Sequence, residues 1–334
     1  MSVYIIAEAG VNHNGDIRLA KKLIDAAKYA GADAVKFQTF KTEKIIGKYA
    51  QKAEYQVDNT GNSESQFDMV KKLELSYDQF TELKNYCDEK EITFISTPDE
   101  TDSLDYLANI GVPLIKIGST EVTNLKFLKE ISKKGLPIIL STGMSTLGEV
   151  ELALDTIYEQ GNSAVTLMHA TTDYPTMAED VNLKAMVTMR EAFKIPVGYS
   201  DHTLGNEAAV AAVALGSVVI EKHFTLDKAM EGPDHAASMT PDEFKGFVNA
   251  IRTTELLLGT GIKKPTKKEE KTIEAARRSI VASRDLDAGT ILTEEMIEFK
   301  RPGTGLKPEF IKFVLGRKLK NSLKEDQLIT LDDL

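Results

Sequence analysis

The sequence predicts a (β/α)8 TIM barrel followed by a small C-terminal β-rich unit. Three observations carry that expectation. Between residues 3 and 258 a short β-branched run alternates eight times with a longer segment of helical period. The runs are apolar on both faces, as strands buried on both sides must be. After Gly259 the alternation stops, and short β-like runs take over, with turns at Asp287-Ala288-Gly289 and Pro302-Gly303. An open, doubly wound sheet is the alternative. Such a sheet usually carries a Gly-rich phosphate turn after its first strand. Here that turn is GVNHNGD, and its Gly10 and Gly15 match neither that fingerprint nor the P-loop.

In chain order, strands are expected at 3–7, 34–37, 93–96, 114–117, 138–140, 165–168, 196–199 and 218–222. Helices are expected near 17–29, 77–89, 101–110, 125–133, 147–159, 183–193, 204–215 and 242–257. Asp16, Ser76, Thr101 and Thr240 have the side chains and positions of helix N-caps. The connection 40–76 is long, polar and rich in Lys, Gln, Asn and Ser, which marks a lid or a partner contact. GTGIKKPTKKEEK is basic and contains proline, so it reads as a linker. The expected division is 1–260 barrel, 261–280 linker and 281–334 tail. So short a tail makes a thin core and should lean on another surface, its own barrel's or a partner's.

Composition narrows the function. Of 334 residues, 42% are hydrophobic and 28% charged, the profile of an ordinary globular chain. A net charge of −10 argues against nucleic acid or an anionic membrane as partner. An anionic substrate then needs a local cationic pocket. The longest apolar stretch, 208–220, falls short of the roughly 18 residues a membrane helix needs. MSVYIIAEAG has no basic n-region, so no signal peptide is expected. Cys87 is the only cysteine, which rules out an intrachain disulfide and fits a reducing cytoplasm.

Barrel chemistry sits at the C-terminal ends of the strands. Those ends read Glu8 with Asn12 and His13; Lys36 and Gln38; Ser96 and Thr97; Lys116, Ser119 and Glu121; Ser141 and Thr142; His169, Thr171, Thr172 and Tyr174; Ser200, Asp201 and His202; and Glu221, Lys222 and His223. One polar strand end is an ordinary cap. Eight together mark an active site. His202 and His223 follow neighbouring strands, about 4.8 Å apart, and can reach one point. Two imidazoles beside carboxylates and an open cavity suit a divalent metal with exchangeable positions. The bland alternative is a hydrogen-bonded structural pair. The absence of cysteine nearby and of H-E-x-x-H speaks against structural zinc.

Lys36 and Lys116 lie on inner strands. A lysine buried there either pairs with an anion or acts as a nucleophile of depressed pKa. With Ser96, Thr97, Ser119 and Ser141 around them, the two lysines form a cradle for phosphate plus carboxylate. A Schiff-base lysine is the competing reading. Glu8 closes the barrel beside strand 8, where a carboxylate could act on water or a hydroxyl, or simply orient a histidine. His13 and His235 are equally readable as loop residues or substrate contacts. In VVIEKHFT, Glu221 and His223 point one way, toward the site, and Lys222 the other, toward the helix layer.

IAEAGVNHNGD, AVKFQTF, FISTP, KIGSTE, LSTGM, YSDHT, IEKHFTLD and GPDHAAS resemble, in order, the motifs of the sialic acid synthases. ARRSIVA, KRPGTGL and VLGRKL in the tail resemble their antifreeze-like (SAF) domain. The resemblance implies condensation of phosphoenolpyruvate with the open-chain aldehyde of an N-acylated hexosamine, with N-acetylmannosamine giving N-acetylneuraminate and phosphate. The alternative acceptor is 2,4-diacetamido-2,4,6-trideoxymannose, giving N,N'-diacetyllegionaminate. It implies that His202 and His223 hold Mn²⁺ or Mg²⁺. It implies that Lys36, Thr97, Lys116, Ser119, Ser141 and Ser200 hold phosphoenolpyruvate, and that Glu8 handles the water. Gln38, Tyr174 and Asp234 would contact the sugar. Arg301 would reach the N-acyl group from the partner subunit of a homodimer whose tail is swapped over the partner barrel. The chain departs from the family pattern at Asp99, at Thr120 and at Thr172, and Thr172 lies at the sugar end. A Schiff-base aldolase, and an inert barrel serving as a binding module, are the readings from other classes.

Overall fold

The computed structural model describes residues 2–61 and 63–334. The chain divides into two compact units, Met1–Gly259 and Thr260–Leu334. The first is the barrel. Its strands are β1 (Tyr4–Gly10), β2 (Ala34–Thr39), β3 (Thr93–Pro98), β4 (Ile115–Ile117), β5 (Ile138–Ser141), β6 (Val165–Ala170), β7 (Val197–Asp201) and β8 (Val219–His223). The ladder runs β3-β2-β1-β8-β7-β6-β5-β4, and the pairings within it are parallel. β3 and β4 are neighbours without a shared ladder, so the barrel is nearly closed. The doubly wound alternative is thereby excluded.

Eight helices cover the outside: α1 (Ile17–Ala30), α2 (Tyr77–Glu89), α3 (Thr101–Asn109), α4 (Leu125–Ser132), α5 (Leu147–Tyr158), α6 (Lys184–Phe193), α7 (Glu207–Ala214) and α8 (Pro241–Leu258). Asp16 caps α1, accepting from the Arg18 N–H. Ser76 and Gln79 form a capping box on α2, as Thr240 and Glu243 do on α8. α3 corrects the expectation that Thr101 is its cap. Glu100 holds that place and accepts from the N–H groups of Asp102 and Ser103. A buried carboxylate one residue earlier offers two acceptors to orphan donors, where a hydroxyl offers one group.

Inward-facing residues follow the strand period of two. Low in the barrel, Ile6, Ala34, Ile95, Ile139, Met168 and Val219 form an apolar plug. Two residues further along their strands come Glu8, Lys36, Thr97, Ser141 and Glu221. The change from apolar to polar along these strands is therefore a change of depth. On β7 the inward residue at plug level is Gly198. A Cβ there would lie 2.3 Å from Val219 Cγ1 and 2.6 Å from the Val219 carbonyl oxygen.

The stretch 40–76 holds three short helices, Thr42–Ile45, Glu54–Thr60 and Gln66–Lys71. Ile45 of the first and Val70 of the third pack against a small core of Val11, Phe40 and Leu73. Asn59 ties the middle helix to the carbonyl of Pro233, in the loop after β8. Among the described residues no helix is long and apolar enough to cross a membrane.

In the second unit, α9 (Lys267–Ala276) occupies the basic stretch expected to be a linker. A capping box between Thr266 and Glu269 starts it. β9 (Ser279–Ala282) pairs antiparallel with β10 (Ile297–Lys300). Ile280, Leu292, Val314, Leu319 and Ile329 are at most 2% exposed, so this unit has its own core.

Candidate active site

The polar ends of the strands surround one cavity of about 540 Å³. Lys36 reaches in from β2 and Lys116 from β4, both buried. Lys36 Nζ lies 3.0 Å from Glu8 Oε2 and 3.7 Å from Glu221 Oε1. Lys116 Nζ lies 3.5 Å from the same Glu221 oxygen. Hydroxyls complete the surroundings. Lys36 donates to Thr97 Oγ1 at 3.2 Å, Lys116 to Ser141 Oγ at 2.8 Å, and Ser200 Oγ to Glu221 Oε1 at 3.1 Å.

This packing sets the protonation states. Burial works against charge on Glu221, but Lys116 and Lys36 outweigh it and hold the carboxyl down. Burial pushes the Glu8 carboxyl up, against the pull of Lys36, and repulsion from Glu221 adds to the rise. The two carboxylates thus separate in acidity, the arrangement by which one stays an anion and the other can carry a proton. Burial opposes charge on Lys36 too, yet Glu221 and Glu8 keep its ammonium favoured. Lys116 differs: burial, with Lys36 adding repulsion, lowers it to about 8 despite Glu221.

The two histidines meet as their strands predict. Their ring centroids are 5.6 Å apart, and Tyr174 packs on both, at 4.3 Å from His202 and 5.7 Å from His223. His202 Nδ1 lies 2.6 Å from the Thr171 carbonyl oxygen, so it carries the proton and donates. The lone pair of Nε2 then faces the cavity. Burial lowers both imidazoles, His223 well below its usual value. His223 Nδ1 and Glu221 Oε2 are buried with no hydrogen-bond partner. Two neutral imidazoles, His223 with an unpartnered nitrogen, next to an anion fit a divalent cation. Among the described residues no group of three or more His, Cys, Asp or Glu side chains is gathered for an ion. The protein's share would be two imidazoles, with the other positions left to water and substrate oxygens.

The rest of the rim lines the same cavity. Gln38 donates to Glu8 Oε1 at 3.2 Å. Ser119 Oγ accepts from the Gly143 N–H at 2.9 Å. Thr172, Tyr174 and Asp234 line it as well, Tyr174 against the two histidines. Burial pushes the Asp234 carboxyl up to about 6.

Two patterns recognise this chain. The NeuB family matches residues 23–263, and the SAF domain matches residues 277–334. The chain belongs to the NeuB family. It is 49% identical to the N,N'-diacetyllegionaminic acid synthase of Campylobacter jejuni subsp. jejuni, over 97% of this chain and 98% of that one. It is 35% identical to the human N-acetylneuraminate-9-phosphate synthase, over 98% of this chain and 91% of that one. Among solved structures it resembles the N-acetylneuraminic acid synthetase of Leptospira borgpetersenii with a TM-score of 0.73. That pair shares 35% identity over 82% of this chain and 91% of the other. The resemblance read from the motifs is thus confirmed, in the barrel and in the SAF domain.

Several motif residues of this NeuB-family chain lie outside the cavity. Asn12 donates to the carbonyl of Phe224 and to Ser238 Oγ. His235 is buried between Thr225 Oγ1 at 2.6 Å and Asn14 Oδ1 at 3.1 Å, which makes it a loop strut. His13 is buried behind Phe37 and accepts from the Gly15 N–H. His169 meets the Val181 carbonyl at 2.7 Å. Lys222 points into the helix layer, as the alternation predicts. Arg301 belongs to the second unit, just after β10, and is exposed.

Two features of the site are not fully marked by the sequence pattern. Glu221, read from the sequence as pointing toward the site, is the shared partner of Lys36, Lys116 and Ser200. Its two-residue spacing from His223 was the available signal. Asp99, Glu121 and Asn124 line the cavity on the β3–β4 side, and Gln56, Gln66 and Met69 line it from the 40–76 segment. Nothing in the polar composition of that segment marked which side chains would face inward.

Proposed function

We propose that this chain condenses phosphoenolpyruvate with the open-chain aldehyde of an N-acylated hexosamine and water, giving a nine-carbon α-keto acid and phosphate. One observation carries the reading. Two buried lysines, bridged by one carboxylate and ringed by hydroxyls, stand in the same cavity as a pair of neutral imidazoles. The first group suits a small dianion or trianion, and the second a Lewis acid for a carbonyl.

Lys36 and Lys116, with Thr97, Ser119, Ser141 and Ser200, would hold the phosphate and carboxylate of phosphoenolpyruvate. The methylene carbon forms a bond to the aldehyde carbon, whose oxygen takes up a proton. Water adds at C2, and phosphate leaves with the bridging oxygen as C2 becomes the ketone. Glu8, with its raised affinity for a proton, accepts one from the water and returns it. His202 and His223 would hold Mn²⁺ or Mg²⁺, which polarises the aldehyde oxygen when bound. Gln38, Thr172, Tyr174 and Asp234 would orient the acceptor. Arg301 would complete the site from the second copy of a homodimer, through its N-acyl contact.

The acceptor is unphosphorylated on this reading. Beyond Lys36 and Lys116 the cavity carries Asp99, Glu121 and Asp234. Its other cation among the described residues, Lys44, is paired with Asp102. A phosphate on the sugar would meet carboxylates. The names of relatives 49% and 48% identical support 2,4-diacetamido-2,4,6-trideoxymannose as acceptor and N,N'-diacetyllegionaminate as product. N-acetylmannosamine is the second acceptor. The side chains of Ile45, Ile46 and Met69 give the outer cavity an apolar wall, which suits a 6-deoxy methyl better than a hydroxymethyl.

A Schiff-base aldolase keeps one supporting observation, the lowering of Lys116 to about 8. Against it, Lys116 is committed to Ser141 and Glu221. The deciding assay is phosphate release from phosphoenolpyruvate, with and without EDTA, using the diacetamido sugar, N-acetylmannosamine and its 6-phosphate. Release with the first, abolished by EDTA, is expected. Borohydride trapping of pyruvate on Lys116, insensitive to EDTA, would support the aldolase instead.

A further inference from the structure

Two buried ionisable side chains of the barrel lie away from the cavity, on the outer face of the wall that holds the histidines. Lys222 Nζ and Asp201 Oδ2 are 2.7 Å apart, with side chains 2% and 0% exposed. The residues are ladder partners across β7 and β8. Lys222 also donates to the Thr203 carbonyl at 2.7 Å, and its ammonium sits 5.6 Å from the centre of the Phe247 ring on α8. The other oxygen of Asp201 accepts from the Thr203 N–H at 2.9 Å, from its hydroxyl at 2.8 Å and from the Tyr199 hydroxyl at 3.3 Å.

Such a pair is an odd choice for stability. The space between a barrel sheet and its helices is apolar, and here Ile220, Phe224, Phe244 and Phe247 fill it. Desolvating two charges there costs several kcal/mol per ion, and well-packed apolar side chains of the same volume are often as stable or more so. The ion pair supplies direction, which apolar packing lacks. Lys222 precedes His223, and Asp201 precedes His202. Side chains alternate along a strand, so fixing the outward residue fixes where the next one enters the cavity. Asp201 does more: by binding both the N–H and the hydroxyl of Thr203, it closes the chain around His202.

We propose that Lys222 and Asp201 are positioning residues that set the separation and orientation of the His202 and His223 imidazoles, and so the affinity of the protein for its divalent cation. This rests on the reading of the two imidazoles as cation ligands. Neither residue touches substrate. The pair acts through the backbone at the ends of two strands, in the manner of the outer hydrogen bonds that orient metal ligands.

The test uses the full-length protein without substrates. Mn²⁺ binding is read by electron paramagnetic resonance of the free ion, phosphoenolpyruvate binding by calorimetry in EDTA, and folding by thermal melts. Lys222→Met and Asp201→Asn should each weaken Mn²⁺ binding by about ten-fold or more, the usual scale for losing such a partner. Phosphoenolpyruvate affinity should fall far less than Mn²⁺ affinity, since Lys36, Thr97, Lys116, Ser119 and Ser141 lie outside β7 and β8 and only Ser200 shares β7 with Asp201. The double variant Lys222→Met/Asp201→Leu guards against a misfolded single variant, because it leaves no lone buried charge. It should melt near the parent temperature yet bind Mn²⁺ as weakly as the single variants. Parental Mn²⁺ affinity in the folded double variant would overturn the proposal and leave the pair a plain strut. The underlying reading fails separately: His202→Ala and His223→Ala with unchanged Mn²⁺ binding would remove the cation site itself.

Discussion

Glu221 takes up charge from two lysines at once, and the chemistry of the cavity follows from that sharing. Lys36 and Lys116 cannot both be neutralised by Glu221, and Glu8, pushed up to about 7 by burial, offsets them only in part. The cradle is therefore cationic inside a chain of net charge −10, a focused field for an anion. Lys116 is its weak point, being lowered to about 8 by burial. Its proton is present below that pH and is lost as the pH rises through it. We expect kcat/KM for phosphoenolpyruvate to fall above about pH 8, by up to about ten-fold per unit. The pH profile of the free enzyme measures this, and a flat profile up to about pH 10 would contradict it. Asp99 gives a second prediction. Burial, with repulsion from Glu121 added, pushes it up to about 7. An unfolded chain ionises Asp99 near the ordinary aspartate value, so the fold loses stability as pH rises between that value and about 7, and the loss persists above. Asp99→Asn should raise the melting temperature at alkaline pH, with the gain vanishing toward about pH 4. These states were invisible in the sequence. The residue types announced a site, but which lysine is depressed depends on which carboxylate stands between the two.

Strands and helices were legible to different degrees, for reasons that differ element by element. Each barrel strand begins as a β-branched apolar run, and every run expected became a strand. Strands other than β4 ended later than expected because polar residues such as Glu8, Gln38 and His223 look like loop in a sequence. They stay in the ladder since the cavity pairs them. The helices of 40–76 have little apolar period of their own. They are held by tertiary bonds, as where Glu74 accepts from the Thr42 N–H and from Lys41 and Lys71. No local pattern encodes such bonds. His13 and His235 were ambiguous because a loop histidine is assigned only by its partners. Gly198 is the element-scale test. A Cβ at Gly198 would press on the side chain and backbone of Val219, forcing β7 from β8. Gly198→Ala should cost about 1–3 kcal/mol, the usual range for overpacking. It should weaken Mn²⁺ binding as well, since the two strands carry the two histidines. Urea melts and metal titration check both, and a variant of parental stability would show that the wall yields more easily than the contact distances imply.

At the scale of the whole molecule, the barrel holds cation ligands, a cradle and a proton carrier, while Arg301 is carried by a different unit with its own core. If Arg301 completes the site of the other copy, each active site is a joint product of two chains, and that is a statement about stoichiometry. Arg301→Ala in both copies should raise KM for the sugar far more than KM for phosphoenolpyruvate, because the cradle residues all belong to the barrel. Glu8→Gln in both copies should stop turnover while leaving both substrates bound. Mixing the two variants by co-expression separates the geometries. In a swapped dimer, the barrel of the Arg301→Ala chain is intact and receives a native Arg301 from its Glu8→Gln partner. Half the dimers are then mixed and half the sites in each are native. The mixture should recover about a quarter of the wild-type specific activity at low sugar concentration. If Arg301 serves its own barrel instead, no combination produces a native site, and the mixture stays at the mean of its two parents.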